Sequence, residues 1–412
     1  MCENTQLPIL PGLGSVIVRN LIILFLCQLI SATGAIVVIV LGGIIGSSLT
    51  ETQALATLPV SLMVVTTAVT AIPATMLMRR IGRRAGSLIS SLTAVSAALL
   101  TAYAISHDNF TLFIISTGMF GINMAFTQQY RFAAVESAPP KHAGRAISLV
   151  LLGAIGGAML GPELVTRGQN WVEGVQYVGT LYAVAVLFGI QALLFMVLSP
   201  LRLEAEDGEH QGSRTLGEIA RQPVFIMAVL GGTVAYGTMT LIMTATPLSM
   251  HVHDGYSLEV TASVIRSHVL AMYVPSLISG FLIERIGTVK MMSAGALALI
   301  AACVVGLQGH EVIHYWYTLV LLGVGWNFLY IGATTMLTYT YKARERFTAQ
   351  GLNELCVFGT SAAASLLAGT VIHFYGWFTL VILPAPVLIL ILIGLFVVRR
   401  NTLVRRPVAN IA

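Results

Sequence analysis

Two short stretches decide the fold: M-R-R-I-G-R-R at Met78–Arg84 and I-E-R-I-G-T-V-K at Ile283–Lys290. Each is a basic turn pivoting on a glycine, Gly82 or Gly287, 205 residues apart, with apolar sequence on both sides. At nearly the same offset G-M-F-G-I-N (Gly118–Asn123) answers G-V-G-W-N (Gly323–Asn327), and Gly144 answers Gly351. Self-similarity at about half the chain length is the mark of an internal duplication. The turns and their flanks therefore recur as two homologous halves.

Working outward from these turns, twelve apolar runs follow one another, the first near 20–46 and the last near 376–398, separated by short Gly, Pro, Asn or charged punctuation. Of 412 residues 56% are apolar and only 9% charged, against roughly 25% charged in soluble domains. A helix needs about 20 apolar residues to cross a bilayer. The expectation is an all-α membrane protein of twelve spans: six in residues 1–198, a polar linker at 199–222 containing Glu204, Glu206, Asp207, Glu209 and Glu218, and six in 223–412. Placing the N-terminus inside puts every lysine and arginine except Arg167 and Arg266 on the inner side. Positive charge is retained on the cytoplasmic face during insertion, so both termini are expected in the cytoplasm of a bacterium, with the spans in its plasma membrane. The net charge of +5 then records topology and implies no nucleic-acid partner. The four cysteines show no paired spacing for zinc or a disulfide framework.

This arrangement resembles the major facilitator superfamily, whose loop signature is G-x-x-x-D-[RK]-x-G-x-x-[RK]. The second copy matches at Gly280, Glu284, Arg285, Gly287 and Lys290, with Glu in place of Asp. In the first copy Arg80 and Gly82 match, Arg83 and Arg84 supply charge slightly early, Thr75 replaces the Gly, and Arg79 stands where the acid belongs. The resemblance implies transport by alternating access and an acid in that turn that latches it to the eleventh span. Arg79 cannot serve in the usual way; Glu354, about one turn into that run, offers a charge-swapped partner, and Glu136 completes the set of latch candidates. In the fifth run Gly153, Gly157 and Gly161 at four-residue spacing, followed by Pro162, predict a close helix–helix approach.

Intramembrane charges are costly and mark function, yet carboxylates are scarce inside the runs. Gln128, Gln129 and Arg131 of the fourth run are candidates to face a central cavity. A second constellation is sulfur and imidazole: Met239 and Met243 on the seventh run, His268 and Met272 on the eighth, each pair one helical turn apart. Counted from the run ends, both pairs fall in the outer half of the membrane, Met239 about 24 Å from the inner end and His268 about 10 Å from the outer. Thioethers with a neutral imidazole suit Cu(I) and not Mg²⁺ or Ca²⁺. With these residues the chain resembles the CcoA-type copper importers, whose motifs are M-x-x-x-M in helix 7 and H-x-x-x-M in helix 8. The resemblance implies copper as cargo, with Met250, His251 and His253 (M-H-V-H) collecting it at the outer face. No bound cofactor is expected, and the chain is expected to act as a monomer.

The alternative is a transporter of a small organic solute or drug, exporting it against protons in one version, with Asn123, Gln128, Arg131, Trp326 and Asn327 lining the cavity and the methionines as apolar wall. A membrane scaffold is a third reading. His310, Glu311 and His314 match the zinc-protease pattern H-E-x-x-H, but they lie in a short outer loop without a clear third ligand, so no enzyme is expected.

Overall fold

The computed structural model describes residues 13–137, 143–199, 214–342 and 345–401, and every regular element among them is helical. Residues 200–213 of the expected linker lie outside the described residues. In the first half α1 spans Leu13–Leu49, α2 Leu58–Ile81, α3 Arg83–Ser106, α4 Phe110–Thr127, α5 Tyr130–Ser137, α6 Ala143–Gly168 and α7 Val178–Val197. A short turn, α8 (Leu216–Ala220), leads to α9 Pro223–Pro247, α10 Leu258–Tyr273, α11 Ser276–Ile286, α12 Thr288–Gly306, α13 Val312–Thr338, α14 Arg346–Ile382 and α15 Ala385–Val398.

Helices α4 and α5 form one crossing broken at Gln128–Gln129, and α10 and α11 form another, bent by 41° at Val274–Pro275. Helix α14 is divided at Gly376, where φ of 75° and ψ of 179° are not helical, and its second part continues into α15. Counted so, the described residues make twelve crossings, as the apolar runs predict. Hydrocarbon offers no hydrogen bonds, so hydroxyls inside the helices turn back on their own backbone. Thr33, Thr67, Ser91 and Thr101 donate to the carbonyls of Leu29, Met63, Ser87 and Ala97, one turn earlier.

The repeated turns are nearly identical in backbone. Gly82 has φ 86° and ψ 156°, Gly287 φ 84° and ψ 158°, and each ends one helix and begins the next. This region of φ/ψ is essentially closed to side chains, which explains why glycine pivots both copies. The glycine stripe of α6 lies against α1: a Cβ at Gly153 would stand 2.5 Å from the Phe25 carbonyl oxygen, and one at Gly157 2.5 Å from the Ala32 Cβ.

The halves meet, among other places, away from the arginine-rich ends of the helices. Near the start of α2, Ser61 donates to the Ser365 carbonyl of α14 (2.7 Å), and the Ser365 hydroxyl donates back to Ser61 (3.0 Å). Close by, Gly369 packs against Thr57 and Ala54. At the arginine-rich ends Arg83 binds Glu136, Arg84 the Met196 carbonyl, and Arg214 binds Glu345.

A Cβ at Gly82 or Gly287 meets nothing within 4 Å, so Gly82→Ala and Gly287→Ala should each cost about 1–3 kcal/mol through backbone strain alone. Thermal unfolding in detergent should show similar losses for the two, while Gly189→Ala in the helical part of α7, also unobstructed, leaves the melting temperature unchanged or raises it.

Candidate functional site

Four helices of the second half bring five aromatic rings together. Trp326 and Tyr330 of α13, one turn apart and hence on one face, stack at 5.2 Å with an interplanar angle of 16°. Tyr236 of α9 sets its ring edgewise against Trp326 (5.2 Å), Tyr330 (4.8 Å) and Phe358 of α14 (5.8 Å). Tyr273, last residue of α10 before the bend, meets Trp326 at 6.4 Å. Such edge and offset contacts follow from the ring quadrupole. Small residues on α9 permit them: a Cβ on Gly232 would lie 3.3 Å from Val357 and one on Gly237 3.0 Å from Thr360.

Two charges act on the rings. Arg131, just past the break between α4 and α5, acts electrostatically on Glu354 of α14, and both act on Tyr236 and Tyr330. Arg131 belongs to the first half and Glu354 to the second, so the aromatic cluster lies on the seam that alternating access must open and close. The Trp326 indole Nε1 is buried there without a hydrogen-bond partner.

The expected cavity residues divide. Gln128 and Arg131 are half-buried at the helix break, and Trp326 is at the centre of the rings. Asn123 and Asn327 are fully buried and engaged elsewhere. Asn123 Nδ2 donates to the Ser90 hydroxyl (2.9 Å), holding α4 to α3. Asn327 Nδ2 donates to the Met272 carbonyl (2.7 Å) and Ser276 (2.6 Å), and its Oδ1 accepts from Ser279 (2.7 Å). Pro275 brings no N–H to the bend, and Asn327 closes it. These paired asparagines are clips between helices, not cavity lining.

Of the expected metal residues, Met239, Met243 and Met272 are buried in one apolar core. His268 is fully buried, its Nδ1 2.7 Å from the Leu319 carbonyl and its Nε2 without a partner. Met250 is also fully buried, because the chain beyond α9 continues as a π-helical turn, Leu248–His253, and does not leave as a loop; it is no exposed collector. His251 Nδ1 sits 2.7 Å from the Tyr256 carbonyl and His253 is exposed. The H-E-x-x-H residues are structural: Glu311 caps α13 with His314, and His310 pairs with Asp254 at 3.1 Å. Among the described residues no group of three or more His, Cys, Asp or Glu could hold a metal.

Of the latch candidates, Arg83 binds Glu136 through two contacts of 2.6 and 2.5 Å, joining α3 to α5. Arg79, Arg80 and Glu284 are exposed, and Arg285 lies over the Phe281 ring at 4.6 Å. Glu354 answers Arg131, where Arg79 was expected. Sequence reading did not single out Arg214 and Glu345. The Glu345 carboxylate, almost fully buried, accepts from Arg214 Nε (2.9 Å), Nη2 (2.6 Å) and backbone N–H (3.0 Å), and from the Lys342 N–H (2.9 Å). This clamp fixes the turn that launches α14, which carries Glu354 and Phe358.

A twelve-crossing bundle of two like halves with a polar and aromatic site on their seam defines a membrane transporter. A sequence model described as the Major Facilitator Superfamily matches residues 24–273 and 229–410. The chain is 38% identical over 379 residues to the riboflavin transporter RfnT of Brucella anthropi, covering 92% of this chain and 95% of that one. In fold it is similar to a bacterial homologue of the human lysosomal transporter Spinster solved inward-facing and occupied (TM-score 0.70, 16% identity, 93% and 97% covered). It is also similar to the fucose:proton symporter FucP of E. coli (TM-score 0.60, 17% identity, 93% and 99% covered). The chain belongs to the major facilitator superfamily. The narrower resemblance to copper importers gains nothing from these relatives, of which the one at 38% identity is a riboflavin transporter.

Hydrogen bonds from Arg214 hold the Glu345 carboxyl down to about 2. Because the folded value lies below the ordinary carboxylate range, the clamp stabilises fully above about pH 4.3 and is lost as pH falls through that value toward 2. Glu345→Gln should lower the melting temperature at pH 7, and the gap from wild type should close between about pH 5 and pH 2.

Proposed function

We propose that this transporter carries a planar heteroaromatic solute of the riboflavin kind, by alternating access of its two halves, across a bacterial plasma membrane. The arginine-rich face is cytoplasmic in this reading, by the positive-inside rule. The observation that carries the proposal is the aromatic cluster on the seam, Tyr236, Tyr273, Trp326, Tyr330 and Phe358. A flat tricyclic ring system stacks on such side chains for about 1–3 kcal/mol per ring contact, the magnitude known for nucleobases. The likeness to a riboflavin transporter supports the same reading. Arg131 and Glu354 add charge at the edge of the cluster, where polar groups of a mostly flat cargo need partners.

A second reading, a soft metal ion such as Cu(I), is favoured by one observation. Nδ1 of His268 is held on a backbone carbonyl, which leaves a buried Nε2 lone pair; metal-bound histidines are oriented in this manner. Met272 is one turn away on the same helix.

Uptake of radiolabelled riboflavin into proteoliposomes should saturate, and Tyr236→Ala and Tyr330→Ala should each weaken it about 5- to 100-fold; absence of saturable uptake by wild-type protein contradicts the reading. In cells, copper accumulation should be the same with Met239→Ala and His268→Ala as with wild type at equal expression. A fall in copper accumulation favours the metal reading.

A further inference from the structure

Trp326 is only 5% exposed, and its Nε1 is shut off from water without an acceptor. Buried indole N–H groups nearly always find one. The neighbours do not supply it. Asn327, next in sequence, has its oxygen taken by Ser279 and its nitrogen by Met272 and Ser276. Tyr330 lies parallel to the indole at 16°, while Tyr236 and Tyr273 approach at 74° and 68°, so what these residues give Trp326 is ring contact. A phenylalanine would make the same stacking contacts without the cost of the bare N–H.

We propose that the Trp326 N–H is reserved for the cargo: it donates to an acceptor in the plane of the bound heterocycle, a ring carbonyl oxygen or ring nitrogen, and thereby selects cargo that carries one. This rests on the aromatic-solute reading above and adds a specificity determinant to it. Stacking tolerates any flat ring, whereas a donor buried among aromatic side chains discriminates, because cargo lacking the acceptor leaves the N–H unpaired. The rings now packed on the indole are those the cargo has to displace. Binding therefore exchanges Tyr236 edge contacts for cargo contacts and gives the N–H its partner in the same event.

The test uses the purified full-length chain in detergent and equilibrium binding of riboflavin, 5-deazariboflavin and 4-thioriboflavin. The two analogues keep the tricyclic shape, but the first removes a ring-nitrogen acceptor and the second weakens a carbonyl one. Wild type should bind at least one analogue more weakly than riboflavin. Trp326→Phe should lose riboflavin affinity about 5- to 100-fold, keep a melting temperature near that of wild type, and bind riboflavin and the analogue alike. If Trp326→Phe binds riboflavin as wild type does, or discriminates as strongly, the inference is overturned while the aromatic-solute reading stands. If the variant does not fold, the wild-type protein decides: discrimination between riboflavin and the analogues supports the inference, and equal affinity for all three overturns it. Wild-type protein that binds none of them overturns both readings.

Discussion

The rest of the structure depends on one constraint: in hydrocarbon a backbone N–H or C=O without a partner costs several kcal/mol. That cost makes every crossing helical and makes each interruption an event that needs repair. The interruptions are few and they surround the site. Arg131 follows the break at Gln128–Gln129, and Tyr273 immediately precedes the bend at Val274–Pro275, whose freed Met272 carbonyl is taken by Asn327. Broken helices carry the binding sites of many transporters because they put unusual groups at mid-membrane depth. Here the repair group, Asn327, is adjacent to the residue at the centre of the rings, Trp326, so the integrity of the bend and the placement of the site are coupled through one turn of α13.

The duplication supplies the second organising element. Gly82 and Gly287 give the halves matching turns, and Asn123 and Asn327 give them matching clips. The aromatic cluster breaks this symmetry. All five rings belong to the second half, and the first half contributes Arg131 across the seam. A cargo held mainly by one half and touched by a charge from the other registers the relative position of the two, which alternating access requires. Hydroxyl pairing of Ser61 with Ser365 joins the halves through neutral groups, without the desolvation cost of a buried ion pair.

Much of this was legible in the sequence. Apolar runs gave the twelve crossings, the G-R and G-T turns gave the repeat, and the α6 glycines gave the close approach to α1, since each depends on local pattern. The site was less legible for a physical reason. Tyr236, Tyr273, Tyr330 and Phe358 are single aromatic residues on four helices, and nothing in their spacing shows that packing will gather them. Visible patterns were no guide to it either: the asparagines of the repeated stretches are clips, and Met250 is buried by an unforeseen π-helical turn. The Arg214–Glu345 clamp spans more than a hundred residues of sequence and had no signal at all. The Met239, Met243, His268 and Met272 spacing remains the basis of the metal reading, which the His268 geometry alone favours.

In the proposed transport cycle a flavin-like solute passes along a seam joined at one end by Ser61 and Ser365 and lined at the other by the aromatic cluster. That cycle is tested most directly by counterflow of labelled riboflavin in proteoliposomes containing Ser61→Cys/Ser365→Cys in an otherwise cysteine-free chain. Exchange should saturate with the pair reduced, cease when the pair is oxidised to a disulfide, and recover on reduction. Exchange that continues undiminished through the oxidised protein, or riboflavin that never exchanges in the reduced one, contradicts that cycle.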